Sequence, residues 1–433
     1  MKNISKFQIA ILGIFGAFLV MGVLVFALGK TGGGSATVPL LVWGTMPRSE
    51  FAEVLSATAL DKNESFQISY VQKNKENFDI QFLEALASGA GPDLFFLSSD
   101  SLLKYEDRVF TVPFANFSER EFKDSFIEGA EALITEGGIL GFPVLVDPLV
   151  MYWNRDIFNS AGLVSPPGFW DEVYDLGSTL TRKDNSSELT RSAVALGEYG
   201  NINNSFEILS ALIMQAGNPI TRRIASGGVE VVLNQKFNLP TNPAEQALSF
   251  YTEFSNSEKI FYSWNRSLPR SKDWFLAGDL AIYFGLASEL FELQDKNPNL
   301  NFDVAILPQA KEVGGSATYG RIESIMISKQ SRNVPSAFLL ARALSGNVAV
   351  SALSKIKSLP PARRDLLGIT PDRGYMEVFF NSAIISKLWL IEDAFGARLV
   401  FKDMIESITG GRARTSEAVT RAQVELSSLS NSN

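Results

Sequence analysis

From residue 38 onward the chain alternates short apolar runs with amphipathic stretches at helical spacing. VPLLVW at 38–43 reads as a buried strand, and 51–60 follows with the spacing of a helix. A second strand is expected at 68–71, then a helix over 78–87. LFFL at 94–97 is continuously apolar between Pro92-Asp93 and Ser98-Ser99-Asp100, as in a strand covered on both faces. Repeated strand–helix–strand spacing predicts an α/β fold with a parallel sheet and helices on both sides. The ligand site of such a sheet lies beyond the carboxyl ends of its strands. Punctuation agrees with this division. Ser118 and Glu121 form a capping-box pattern, Pro335 and Gly346 bracket a helix at 336–345, and Asp171 and Glu172 open a helix running to Leu180. A last helix is expected at 417–429.

The stretch 9–28, IAILGIFGAFLVMGVLVFAL, is different in kind, with twenty residues and no charge. At about 1.5 Å per residue such a helix covers roughly 30 Å, the thickness of a bilayer core. Lys2 and Lys6 precede it, so residues 1–8 are expected in the cytoplasm and the body outside. The segment reads as a transmembrane anchor, or as a secretory signal removed near Ala27-Leu28-Gly29. Either way the body is exported: held at the cell membrane on its extracytoplasmic side, or secreted if the segment is cleaved. Residues 29–37 read as a flexible linker.

Composition narrows the chemistry. The 433 residues include no Cys and no His, which excludes disulfides, zinc and iron–sulfur centres, imidazole-based triads and a lipidated N-terminal cysteine. What chemistry remains would run on carboxylates, Lys, Tyr or a borrowed cofactor, so the composition leans towards binding rather than catalysis; no metal or cofactor site is expected. The formal net charge is −8, and the three Lys before residue 36 leave the body more acidic still. An acidic body without a basic cluster is a poor partner for nucleic acid.

Three segments then match one family in order. FLEALASGAGPDLFFL at 82–97 is a helix ending in Gly, followed by Gly-Pro-Asp opening a buried strand. GILGFPVLVDPLVMYWNRDIFNSAGLVSPPGFWDEVYDLGSTLT at 138–181 carries a Gly-x-Pro strand, Tyr-x-Asn-x-Asp-x-Phe, Ala-Gly-Leu and Pro-Pro-x-x-Trp-Asp-Glu. FLAGDLAIYF at 275–284, DVAILP at 303–308 and the terminal Gly410-Gly411 to Ala418 complete the pattern. The chain resembles the family 1 extracellular solute-binding proteins of ABC importers, particularly their maltose- and other sugar-binding members. The resemblance implies a periplasmic-binding-protein type II fold, with two α/β lobes joined by hinge strands. The expected division is 38–146 with about 322–357 as lobe 1, and 147–321 with about 358–433 as lobe 2. It also implies a monomeric binding protein and no enzyme, with a small solute, most readily a sugar, and ABC permease subunits as partners.

Cleft residues are expected where strands end facing the other lobe. Trp43 ends the first strand and offers an indole for stacking on a sugar, with Thr45 beside it. Ser98, Ser99 and Asp100 follow LFFL. Asp100, and Asp147 in the first hinge, match acidic ligand-contacting positions of the family. Asn204 offers an amide before a helix, and Trp389 a second indole. Gly285 falls where sugar-binding relatives often carry an aromatic, a departure that keeps the substrate class open. Arg321 in the second hinge suits a carboxylate, phosphate or vicinal hydroxyls. The alternatives are therefore a polyol phosphate or other anion, or a membrane-anchored ligand-sensing module.

Overall fold

In the computed structural model, residues 37–224, 227–311, 315–369, 371 and 374–430 are described. The anchor or signal segment at 9–28, with residues 1–8 and most of the linker, lies outside them. Among the described residues no single helix is long and apolar enough to cross a membrane.

VPLLVWG forms β1 (Val38–Gly44), FQISYVQ forms β2 (Phe66–Gln72), and LFFLS forms β3 (Leu94–Ser98). These three run parallel in the order β2-β1-β3, with helices Arg48–Ala57 and Phe78–Ala87 as crossovers. GFPVLVDPLVMYWN is a single strand of 14 residues, β4 (Gly141–Asn154). Up to its closing Asn154 it is apolar on both faces except at Asp147, so it is covered on both sides along nearly its whole length. β5 (Leu189–Val194), β6 (Leu280–Leu286) and β7 (Phe302–Ala305) follow, and TYGRIESIMI forms β8 (Thr318–Ile327).

The strand order is β2-β1-β3-β8-β4-β6-β5, with β7 also paired to β4. Strand β8 runs antiparallel to both β3 and β4, and β4 antiparallel to β6 and β7. The sheet is therefore mixed, where the repeat pattern predicts a parallel one. The reason lies in β4 and β8. Residues 141–148 of β4 pair with β8 and residues 149–154 pair with β6 and β7, so one strand serves two sheet regions.

Two buried apolar clusters result. One holds Leu40, Phe82, Phe95, Phe142, Val146, Ile325 and Leu340; the other holds Leu149, Tyr152, Phe158, Leu209, Tyr283, Phe401 and Leu426. The change of cluster falls between Val146 and Leu149 on β4, and between Tyr319 and Ile322 on β8. Residues 360–362 lie beside β4, where Val146 N–H donates to Pro360 O and Ala362 N–H to Val144 O. Ala362, Leu367, Ala383 and Leu390 are buried in the first cluster, not the second, because the chain packs against β4 before it departs.

The motif at 154–163 is built from short-range bonds. Asn154 Oδ1 accepts from the N–H groups of Asp156 and Ile157, capping helix Arg155–Ser160. Gly162 has φ +73° and lets Leu163 N–H return to Phe158 O. Phe158 is wholly buried and meets Trp153 edge to face. Phe158→Ala should cost about 3–5 kcal/mol, read as a fall in the urea unfolding midpoint at constant slope.

Candidate functional site

The carboxyl ends of β1 and β3 meet β4 and β8 at a cavity of about 390 Å3. Thr45, Ser98, Ser101, Asp147, Arg321 and Glu323 supply its polar lining, with Lys75 and Asp79 at the edge and Phe78, Phe96, Leu145 and Leu359 as apolar surface. Of the ten residues singled out from the sequence, Thr45, Ser98, Asp147 and Arg321 line this cavity. Ser99 and Asp100 adjoin it through their partners on β8. Ser99 Oγ accepts from Ile322 N–H at 3.1 Å, and Asp100 accepts from the Tyr319 hydroxyl at 3.0 Å.

Four others are committed elsewhere. Trp43 is only 5% exposed; its ring meets Phe78 and Phe82 edge to face, with Lys73 Nζ 3.6 Å from its centroid. It is a packed core indole with no free face for a sugar. Trp389 is likewise buried, stacked on Phe401, with its indole N–H donating to Ser210 Oγ. Asn204 adopts a left-handed backbone at the start of helix Ser205–Gln215. Its amide is spent on Glu289 Oε1, the Tyr283 hydroxyl and Phe284 O. At Gly285 a Cβ would lie 2.6 Å from the Tyr283 ring and 3.0 Å from the Tyr152 ring, so glycine is there to let the two tyrosines pack.

This packing shapes the site indirectly. The Tyr283 hydroxyl donates to Glu289 Oε2, and Leu286 N–H donates to Glu289 Oε1, which fixes the turn after β6. Ser288 in that turn then donates its N–H to Asp147 Oδ1 at 2.9 Å and its hydroxyl to Oδ2 at 2.7 Å. Burial raises the Asp147 carboxyl above the ordinary aspartate value; the Ser288 bonds and Arg321 pull the other way.

Arg321 is the centre of a partly buried ionic chain. Its Nε lies 3.1 Å from Asp100 Oδ2 and its Nη2 2.5 Å from Glu207 Oε1. Arg398 reaches the same Glu207 oxygen at 2.7 Å while lying over the Phe206 ring. Glu207 is 1% exposed, in a helix whose every residue is buried. Burial pushes its carboxyl up, but Arg398 and Arg321 outweigh this and hold it below the ordinary glutamate value. The chain joins β3's end, β8 and two helices packed in the second cluster. Arg321, which the sequence offers to a ligand's carboxylate, phosphate or vicinal hydroxyls, is instead paired with Asp100 and Glu207. Glu207 and Arg398 were missed, although a lone acid in SFEILSALIMQ and a lone Arg in AFGARLVF each signal a charge that must be paired.

Asp100 and Asp147 are both held by protein donors, and no group of three or more metal-ligating side chains occurs among the described residues. The geometry thus gives two apolar clusters joined by β4 and β8, with a small polar cavity beside those strands.

The bacterial extracellular solute-binding protein model matches residues 67–350. That is well over half of the chain, which therefore belongs to this family of extracellular binding proteins. A binding protein of Brucella abortus (strain 2308) is 23% identical over 252 residues, 57% of this chain and 57% of that protein, so the chain spans little more than half of that relative's length. Among solved structures, a cyclic α-maltosyl-1,6-maltose binding protein from Arthrobacter globiformis aligns with TM-score 0.74, 16% identity, and 92% and 100% coverage of the two chains. A cyclo/maltodextrin-binding protein complexed with maltotetraose gives 0.72, 16%, 92% and 98%. A protein with mannotriose bound gives 0.64, 19%, 90% and 100%. These likenesses establish the shared α/β fold.

Arg321→Met should destabilise by up to about 3 kcal/mol, since it leaves a buried carboxylate with one partner fewer. Glu207 contributes stability above its unfolded-state value near 4.5, and loses it as pH falls through its lower folded-state value. The difference in unfolding free energy between wild type and Glu207→Gln should therefore shrink as pH falls below about 4.5, measured by urea denaturation from pH 7 to 3.

Proposed function

We propose that this protein captures a small carbohydrate in the cleft between its lobes and delivers it to the permease subunits of an ABC importer. The observation that carries the reading is the cavity of about 390 Å3 at the carboxyl ends of β1 and β3, closed at its floor by β4 and β8. Its hydroxyls and carboxylates suit a polyhydroxy ligand, and the structural relatives named above include proteins that hold maltotetraose and mannotriose. Residues 9–28 would tether the body to the outer face of the cell membrane, or export it if cleaved.

In this reading Thr45, Ser98 and Ser101 meet the solute from one lobe, and Asp147, held by Ser288, meets it at the hinge. Lobe closure adds the second set of contacts, and the solute shifts the equilibrium only by its greater affinity for the closed form. The cavity is too small for a long stacked oligosaccharide platform, and it lacks a tryptophan. A mono- or disaccharide unit fits better.

An anionic ligand is disfavoured. Arg321 is the group that would attract one, and Asp100 and Glu207 already offset its charge.

A thermal-shift screen of the full chain against mono- and disaccharides and sugar phosphates tests the reading. A sugar at about 100 times its dissociation constant adds about 2.7 kcal/mol, visible as a raised melting temperature. Asp147→Ala should abolish the shift. A response confined to sugar phosphates would contradict it.

A further inference from the structure

One carboxylate in the cleft has no hydrogen-bond or ion-pair partner among the described residues. Glu323 lies on β8 opposite Ser98 of β3 and Leu145 of β4, and its side chain lines the cavity. The neighbouring acids are all held: Asp79 by Lys104, Asp147 by Ser288, and Asp100 by Tyr319 and Arg321. Among the described residues Glu323 makes no hydrogen bond and no ion pair. Lys75 and Lys357 are near enough to stabilise its charge, but Lys357 is paired with Glu50, and burial prevails over both in raising the carboxyl above the ordinary glutamate value.

A charge left without donors in a partly buried place is a cost to the fold. The strand does not require it, since β-branched or hydroxyl residues suit that position better. The ladder between β8 and β4 also shifts register between Glu323 and Ser324. Such irregularities re-aim a side chain and recur beside functional sites. Geometry and charge therefore point the same way, to a group kept for something outside the chain.

We infer that Glu323 reads the ligand, accepting hydrogen bonds from the hydroxyl or ammonium donors of an uncharged or amino-bearing sugar and rejecting anionic ones. The inference rests on the binding role proposed above and narrows its substrate class. With Arg321 offset by Asp100 and Glu207, Asp147 and Glu323 leave the lining acidic, and Lys75 stands at the exposed edge. Negative potential in a partly enclosed cleft favours donors and repels phosphate and carboxylate.

The test is calorimetric titration of the full chain in detergent with glucose, mannobiose, a glucosamine disaccharide and glucose 6-phosphate. Wild type should bind at least one of the first three, and glucose 6-phosphate at least tenfold more weakly. Glu323→Gln should weaken the bound sugar at least tenfold and narrow that gap, while the melting temperature of the unliganded protein stays level or rises. A merely structural Glu323 would lower that melting temperature. Glu323→Ser, which keeps a strand-compatible side chain, is the second variant and should behave alike. Sugar binding within twofold of wild type in both variants would overturn this inference alone. No binding of any probe by wild type would overturn the binding role and this inference together.

Discussion

Everything at the centre of the molecule depends on one buried carboxylate. Glu207 sits in a fully buried helix and is tolerable there only because Arg321 and Arg398 converge on a single oxygen. Arg321 also reaches Asp100, just beyond the end of β3. A strand that must present Arg321 to both is pinned where it passes from one apolar cluster to the other. Because isolated buried charges are so costly, the two apolar clusters share an ionic joint as well as two strands. The Asp147–Ser288 bonds hold the turn after β6 against β4 at the same level.

That joint also decides what the cleft offers a ligand. A free guanidinium at the hinge would draw anions. A neutralised one leaves hydroxyls and acids to set the chemistry. The binding protein is thus tuned by which side chains are already satisfied, and the residues without partners carry more information than those that look suggestive in isolation.

Much of the fold is legible in the chain. The helix at Phe78–Ala87 falls where its spacing places it, as does Trp170–Leu180, and the strands at 38–43 and 94–97 extend by one residue. Local rules suffice there, because capping, apolar period and left-handed glycines act within a few residues. The antiparallel run of β4 and β8 was not legible, since strand direction depends on partners more than 150 residues away. The same holds for the site. Trp43 and Trp389 have the composition of sugar platforms, yet aromatic neighbours distant in sequence enclose them. Gly285 reads as a missing aromatic when its role is to admit Tyr152 and Tyr283. Thr45 and Ser98 come to the cavity at strand ends, which show locally, whereas Asp147 stands out as the one charge inside the apolar run of β4. Glu323 carries no local signal at all: only the register of β8 against β3 and β4 brings it to the cavity.

The central claim is that a sugar closes two lobes about the cleft. The chain has no native cysteine, so paired labels are unambiguous. Spin labels at Glu53→Cys and Lys236→Cys, both exposed and one on each lobe, report the interlobe distance directly. On adding the sugar that raises the melting temperature, the distance distribution should shift and narrow. An identical distribution with and without that sugar would contradict the account.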